Sequence, residues 1–281
     1  MRTYSLDDVH ETRKRRDSWW TVYFVDPVAC RVALAVANRT SLTPNGLTVF
    51  SLVLGLVSAV LFATNQLVAG AGLFYLSFMI DCVDGKIARL KGTGTPFGLW
   101  LDYVGDRVRV VMCAGGLAYG QYALTGDVSY VVLGAAVAVL DLFRYVNAPQ
   151  MKRVREAVRE ERQELEPLVP APLVPDPLDP ERLERIRRPE DRLPRGRSLP
   201  KRLNRFLARH RVRSHLISGI EFHAAVFVIA PLAGAWALIP LAAASGALLL
   251  VNEIFLVYRM WRFTRRHRVA SSQESREHVL V

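Results

Sequence analysis

Four acidic side chains in this sequence lie inside apolar stretches at spacings that would gather them into one site. Asp81, Asp84, Gly85 and Ala88 stand at i, i+3, i+4 and i+7, so a helix would carry two carboxylates and two minimal side chains on one face. Gly98, Asp102 and Asp106 stand at i, i+4 and i+8, again one face with a small residue at its start. The link Lys91-Gly-Thr-Gly-Thr-Pro96 is short enough to make the two helices antiparallel neighbours, on which all four carboxylates converge. Like charges crowded in a low dielectric take up protons unless cations neutralise them, and hard divalent ions such as Mg²⁺ prefer carboxylate oxygens. Paired divalent ions about 3.5 to 4 Å apart serve displacement at phosphorus. The glycines and the alanine leave room for a nucleotide or diphosphate to approach a helix backbone. Structural ion pairing with Arg89, Arg107 and Arg109 is the alternative, and it leaves the small residues unexplained.

The elements that must position these groups follow from hydropathy and charge. Of 281 residues 51% are hydrophobic and 22% charged, with a net charge of +11. That apolar fraction excludes a disordered chain and a basic nucleic-acid-binding globule alike. Six apolar stretches near the ~20 residues that a bilayer demands lie at about 44–64, 67–89, 97–121, 128–148, 217–236 and 239–261. Lys and Arg number 18 in residues 151–213 and none in 214–258. Alternate connections are basic, which the positive-inside rule reads as six transmembrane helices with both termini cytoplasmic. The expected fold is therefore an all-α integral membrane protein. Asp81, Asp84, Asp102, Asp106, Asp141, Glu221 and Glu253 then fall in cytoplasmic helix halves, with Arg107, Arg109, Arg144 and His223. Each ionised carboxylate there costs at least ~2.5 kcal/mol on insertion scales, so a polar chamber open to the cytoplasm is expected.

Five regions result. Residues 1–43 hold Trp19, Trp20, Tyr23, Phe24 and Val28 among charges and suit an amphipathic helix in the membrane interface, or else a packed cytoplasmic cap. The polar Met1 to Asp17 stretch is no signal peptide. Residues 44–150 carry the first four spans and the acidic faces. Residues 151–213 form a charged, Pro-rich cytoplasmic insertion, with an extended stretch at Pro167 to Pro180. Beyond it Leu199, Leu203, Phe206, Leu207 and His210 describe either a basic amphipathic helix on anionic lipid or a solvated loop. Residues 214–262 are the last two spans and 263–281 a basic tail. Cys30, Cys82 and Cys113 have neither disulfide nor zinc spacing. With 32 Arg against 5 Lys the composition points to a GC-rich bacterium, hence its plasma membrane.

Asp81-Cys-Val-Asp84-Gly85-Lys-Ile-Ala88-Arg89, eight further residues, then Gly98-Leu-Trp-Leu-Asp102-Tyr-Val-Gly-Asp106 resembles the full signature of the CDP-alcohol phosphotransferases, with all eight defining positions present. Pro44-Asn45-Gly-Leu-Thr48 also resembles the family's entry to its first helix. The insertion at 151–213 departs from the family's short connection. The resemblance implies that an acceptor hydroxyl attacks the β-phosphorus of a CDP-linked alcohol, giving a phosphodiester and CMP. It implies two divalent cations, Mg²⁺ or Mn²⁺, on Asp81, Asp84, Asp102 and Asp106, with Asp106 also the general base. Asn45, Thr48, Gly85, Ala88, Arg89 and Gly98 would bind the CDP part, and the family suggests a homodimer. CDP-diacylglycerol is the expected donor, since its acyl chains can remain between helices in the bilayer. Arg107, Arg109, Arg144, Glu221 and His223 are candidate acceptor contacts, unless they serve as headgroup anchors and helix caps. A Mg²⁺-dependent intramembrane prenyltransferase would need Asp motifs on well-separated helices and more spans. A transporter would continue its polar residues through the outer helix halves.

Overall fold

The computed structural model describes residues 3–165, 209–213 and 217–279, and among these it is helical apart from short connections and one isolated bridge. The extended stretch at 167–180 and the amphipathic pattern through Leu199, Leu203, Phe206 and Leu207 lie outside the described residues. A short α1 (Leu6–Glu11) is followed by a π-helical turn, Thr21–Val25, that runs into α2 (Asp26–Arg39). Then come α3 (Pro44–Ala63), α4 (Leu67–Lys91), α5 (Pro96–Thr125) and α6 (Ser129–Leu165). The chain closes with α7 (Gly219–Ala233), π-helical over Ala225–Ile229, and α8 (Ala235–Val279). Two compact units emerge, residues 1–147 with 207–256 and residues 148–206 with 257–281. The second unit carries a surface ion pair of Lys152 with Glu156 at 3.5 Å, one helical turn apart. Every acidic group considered below belongs to the first.

Local sequence explains where the helices of the site begin and end. Thr43 caps α3 by accepting from the Gly46 amide at 3.2 Å, and Thr95 caps α5 by accepting from the Gly98 amide at 3.0 Å. Each cap precedes a proline at the first helical position, where no amide is needed. Helix α4 stops at Gly92, whose φ of 65° closes its end in the left-handed region.

Among the described residues five helices are long and apolar enough to cross a membrane: Thr21–Arg39, Pro44–Ala63, Leu67–Lys91, Ser129–Glu161 and Ala235–Arg265. This set differs from the six stretches read from hydropathy. Helix α5 has the length, but Asp102, Asp106, Arg107 and Arg109 crowd its first half and remove it from the apolar set. The run Gly219–Ala233 is shorter, about 22 Å at 1.5 Å per residue against a hydrocarbon core of ~30 Å. Conversely, Thr21–Arg39, expected to lie in the interface, has a span's length and composition. Its Tyr23, Phe24 and Val28 are exposed, and Trp20 stacks on Phe24 at 4.6 Å.

Helices α4 and α5, expected from their short link to be neighbours, bring their acids together without close packing of their backbones. Helix α3 packs extensively on both, while α4 and α5 touch each other only sparsely. Small residues cause this. A side chain on Gly116 would collide with the Ala59 carbonyl, and one on Gly120 with that of Phe62, so α5 can approach the α3 backbone only because both are glycines. Asn65, in the turn after α3, fastens the same contact by donating to the Gly120 carbonyl at 2.8 Å and accepting from the Gln121 amide group at 2.8 Å. On the other side Ser58 donates to the Gly70 carbonyl at 2.7 Å, and Ser77 to that of Ser51 at 2.6 Å, joining α3 to α4. Gly116→Ala should therefore cost ~1–3 kcal/mol by overpacking. Thermal unfolding in detergent checks this against Gly115→Ala, whose new methyl meets nothing within 4 Å and which should stabilise the helix by ~0.5–1 kcal/mol.

Candidate active site

Because α3 holds α4 and α5 from one side, the acidic faces of α4 and α5 meet across a gap. One carboxylate oxygen each from Asp81, Asp102 and Asp106 lies within 4.8 Å of the others. Asp84 stands apart from this trio. Its carboxylate is buried and accepts a hydrogen bond from the hydroxyl of Thr48, one turn into α3. Ser51, on the next turn of α3, donates to Asp81 at 3.3 Å. The hydroxyls of α3 thus orient both acids of α4.

Arg109 supplies one positive charge inside the cluster. It is 3% exposed, bonds to Asp106 through one terminal nitrogen and reaches Asp81 at 3.4 Å and the Ser77 hydroxyl at 3.2 Å through the other. Its path passes Gly55 of α3, where a side chain would come within 2.6 Å of the arginine stem. Its Nε is buried without a partner. A single guanidinium does not balance Asp81, Asp84, Asp102 and Asp106. The remaining negative charge and the all-oxygen donors suit a hard divalent cation, whose ligands at about 2.1 Å stand up to ~4.2 Å apart. The trio's oxygens are close to that spread.

A pocket of about 230 Å³ opens beside the acids. Asn45, Thr48, Gly85, Ala88, Arg89 and Gly98, the six residues expected at the CDP part, all line it, together with Asp84 and Asp102. At Gly98 a side chain would strike the Asn45 amide oxygen, so α3 and α5 close the pocket floor only over a glycine. Arg89 is exposed and donates through Nε to the Thr12 carbonyl at 2.8 Å, which ties the pocket wall to the N-terminal segment.

That segment is fastened by pairs the sequence did not reveal. Asp17 bridges to Val212, its amide donating to the Arg211 carbonyl at 2.8 Å, and Arg211 donates to the Lys14 carbonyl at 2.7 Å. Lys86, which is not among the signature's eight defining positions, pairs with buried Asp26 at 2.9 Å. Position 86 falls off the acidic face by helical spacing, yet its partner on α2 needed the fold.

The five candidate acceptor contacts all have protein partners. Arg107 pairs with Asp141 and Arg109 with the acids already described. Arg144 is 3.7 Å from Glu253 and rests against Gly219, where a side chain would displace it. Glu221 caps its own helix, accepting from the Ser218 amide at 2.8 Å. His223 Nε2 is 2.8 Å from Asp141. Asp141 itself was visible only as one more acid in a span, and its role as the shared partner of Arg107 and His223 was not.

Residues 41–162 match the CDP-alcohol phosphatidyltransferase family. Over 95 residues the chain is 37% identical to a phosphatidylinositol phosphate synthase of Mycobacteroides abscessus, a match covering 34% of this chain and 43% of that protein. It is 29% identical over 105 residues to a CDP-diacylglycerol-serine O-phosphatidyltransferase of Helicobacter pylori, covering 35% of this chain and 44% of the relative. The chain thus spans under half the length of these curated relatives. A crystal structure of phosphatidylinositol phosphate synthase from Mycobacterium tuberculosis aligns with a TM-score of 0.36 and 24% identity, covering 48% of this chain and 64% of that one.

Proposed function

We propose, from the membership of residues 41–162 in the CDP-alcohol phosphatidyltransferase family, that this integral membrane protein transfers a substituted phosphate from a CDP-alcohol to an acceptor alcohol and releases CMP. The observation that carries the reading is the continuity of pocket and acids. Asp84 and Asp102 form part of the wall lined by Asn45, Thr48, Gly85, Ala88, Arg89 and Gly98, while Asp102 also belongs to the carboxylate trio.

In this reading the diphosphate lies over Gly85 and Ala88, whose small side chains leave the backbone within reach, with Arg89 beside it and Gly98 admitting the Asn45 amide to the pocket floor. Asp81, Asp84, Asp102 and Asp106 would hold divalent cations, two Mg²⁺ or Mn²⁺, which would supply positive charge to offset that building on the departing CMP phosphate. Asp106 takes the proton of the acceptor hydroxyl as that oxygen bonds to the β-phosphorus and the bond to CMP breaks. Its Oδ1 is engaged by Arg109, so Oδ2 is the oxygen for the proton. Leu99 on the pocket wall is 72% exposed, beside exposed Phe97 and Trp100, an apolar rim suited to the acyl chains of CDP-diacylglycerol. The Helicobacter relative's name carries the same donor. An anionic acceptor would suit the charge of Arg107 and Arg109, which can attract it without leaving Asp141 and Asp106, and Arg144, which would exchange Glu253 for it. Six spans with cytoplasmic termini, a homodimer and the bacterial plasma membrane complete the proposal.

Purified protein with Mg²⁺ or Mn²⁺, CDP-diacylglycerol and a panel of alcohols should release CMP. Chelation with EDTA should abolish release, and added Mn²⁺ should restore it. Absence of CMP from every CDP-alcohol, together with consumption of a prenyl diphosphate, would overturn the reading.

A further inference from the structure

Asp106 has a second cation beside it that the signature does not define. Arg107 places one terminal nitrogen 3.7 Å from Asp106 Oδ2, near enough to orient the carboxylate but beyond hydrogen-bond reach. What stops it there lies on α6 and α7. Its other terminal nitrogen is bonded to Asp141, which is fully buried. The guanidinium carbon also sits over the Tyr145 ring, 3.7 Å from its centre. That ring is fixed in turn, because the Tyr145 hydroxyl donates to the Tyr103 carbonyl at 2.9 Å and the Tyr103 hydroxyl to that of Tyr145 at 3.3 Å. His223 of α7 completes the arrangement by holding the second oxygen of Asp141 at 2.8 Å. Arg107 is thus fixed on one side by an anion and beneath by an aromatic face.

We propose that Asp141 and His223 are positioning residues that hold Arg107 as a fixed cation just short of Asp106, keeping Oδ2 oriented yet open to the acceptor hydroxyl. The inference rests on the transfer reading above and adds to it a contribution from α7, beyond the residues that match the family. The physical logic is a balance between two anions. With Asp141 charged and buried, the Arg107 nitrogen nearest to it stays there, and the guanidinium reaches Asp106 only at a distance. With Asp141 neutral, Arg107 is free to close on Asp106 and occupy the oxygen that should receive the proton.

The test uses full-length protein in detergent or nanodiscs with Mn²⁺ and CDP-diacylglycerol. Asp141→Asn should lower kcat about tenfold to a hundredfold, as losing an orienting partner commonly does, with the donor KM within about twofold of wild type. Mn²⁺ binding, read by electron paramagnetic resonance, should be unchanged. His223→Leu should behave like Asp141→Asn, whereas His223→Gln, which retains a donor, should recover most of kcat. Arg107→Gln and Asp141→Asn should be strongly non-additive in kcat, as partners acting through one contact are. Retention of full kcat by Asp141→Asn, or by His223→Leu should the first variant not fold, overturns the inference. So does a kcat loss that travels with raised donor KM, weakened Mn²⁺ binding and lowered thermal stability, because that pattern is purely structural. Failure of the wild-type protein to release CMP would instead overturn the transfer reading itself.

Discussion

Asp106→Asn is expected to lower CMP release by about 10²- to 10⁴-fold, the range over which general-base catalysis operates, while the protein still inserts, purifies and unfolds like wild type. The substitution is close to isosteric. An Asn amide oxygen can still accept from Arg109, which contacts Asp106 Oδ1, and the half-exposed side chain needs no new cavity. What disappears is the negative charge of a carboxylate shared by two proposed tasks, taking the acceptor proton and holding a cation with Asp81 and Asp102. The two tasks can be separated by measurement. Loss of turnover with Mn²⁺ binding retained assigns Asp106 chiefly to the proton, and loss of both assigns it to the metal. Turnover above a tenth of wild type would remove Asp106 from the chemistry altogether. Asp102→Asn provides the comparison, since Asp102 lines the pocket as well as the trio and should lose cation binding together with turnover.

The sequence made the acidic faces of α4 and α5 legible because helical periodicity is a local property. A carboxylate at position 81 fixes where 84, 85 and 88 must point, whatever surrounds the helix. The caps at Thr43 and Thr95 are equally local, set by residues three positions apart, although the spans were read without them. Arrangement between helices was less legible, because it depends on which surfaces approach. The short link after Lys91 suggested that α4 and α5 are neighbours, and their acids do meet, but nothing in it showed that Gly116 and Gly120 commit the close packing of α5 to α3. Nothing local distinguishes these glycines from Gly115, which faces open space. Span assignment met a related limit. A hydropathy window registers the charges of α5 but not the fact that Asp106 and Arg109 neutralise each other within it. The partners of Asp26 and Asp141, contributed by residues 34 or more positions away, likewise depend on the tertiary fold.

Arg109→Met is expected to destabilise the metal-free protein by ~3–5 kcal/mol, the usual consequence of removing one partner from a buried ionic group, and divalent cations should recover much of that loss. Arg109 is the buried cation that touches both Asp106 and Asp81, and without it the trio with Asp102 is left with the more distant Arg107, 3.7 Å from Asp106. Methionine fills a similar length of apolar stem beside Gly55, so the deficit should be mainly electrostatic rather than a cavity. A cation that binds the folded cluster stabilises it by about 2.7 kcal/mol at a concentration a hundredfold above its Kd. Binding should tighten when a competing positive charge is removed, so the variant should gain more from Mn²⁺ than wild type does. Unfolding in detergent, with EDTA and then with a Mn²⁺ titration, reads both quantities. Gly55→Ala makes an independent arm, since its methyl would press on the Arg109 stem and should reproduce part of the loss without altering any charge. If Arg109→Met matched wild type in EDTA, the four acids would not need a buried cation to fold. If Mn²⁺ stabilised the two proteins equally, Arg109 and the metal would not share the same carboxylates. The expected combination, a large deficit without metal and a larger gain with it, would show that Arg109 holds the acids together until divalent ions bind among them.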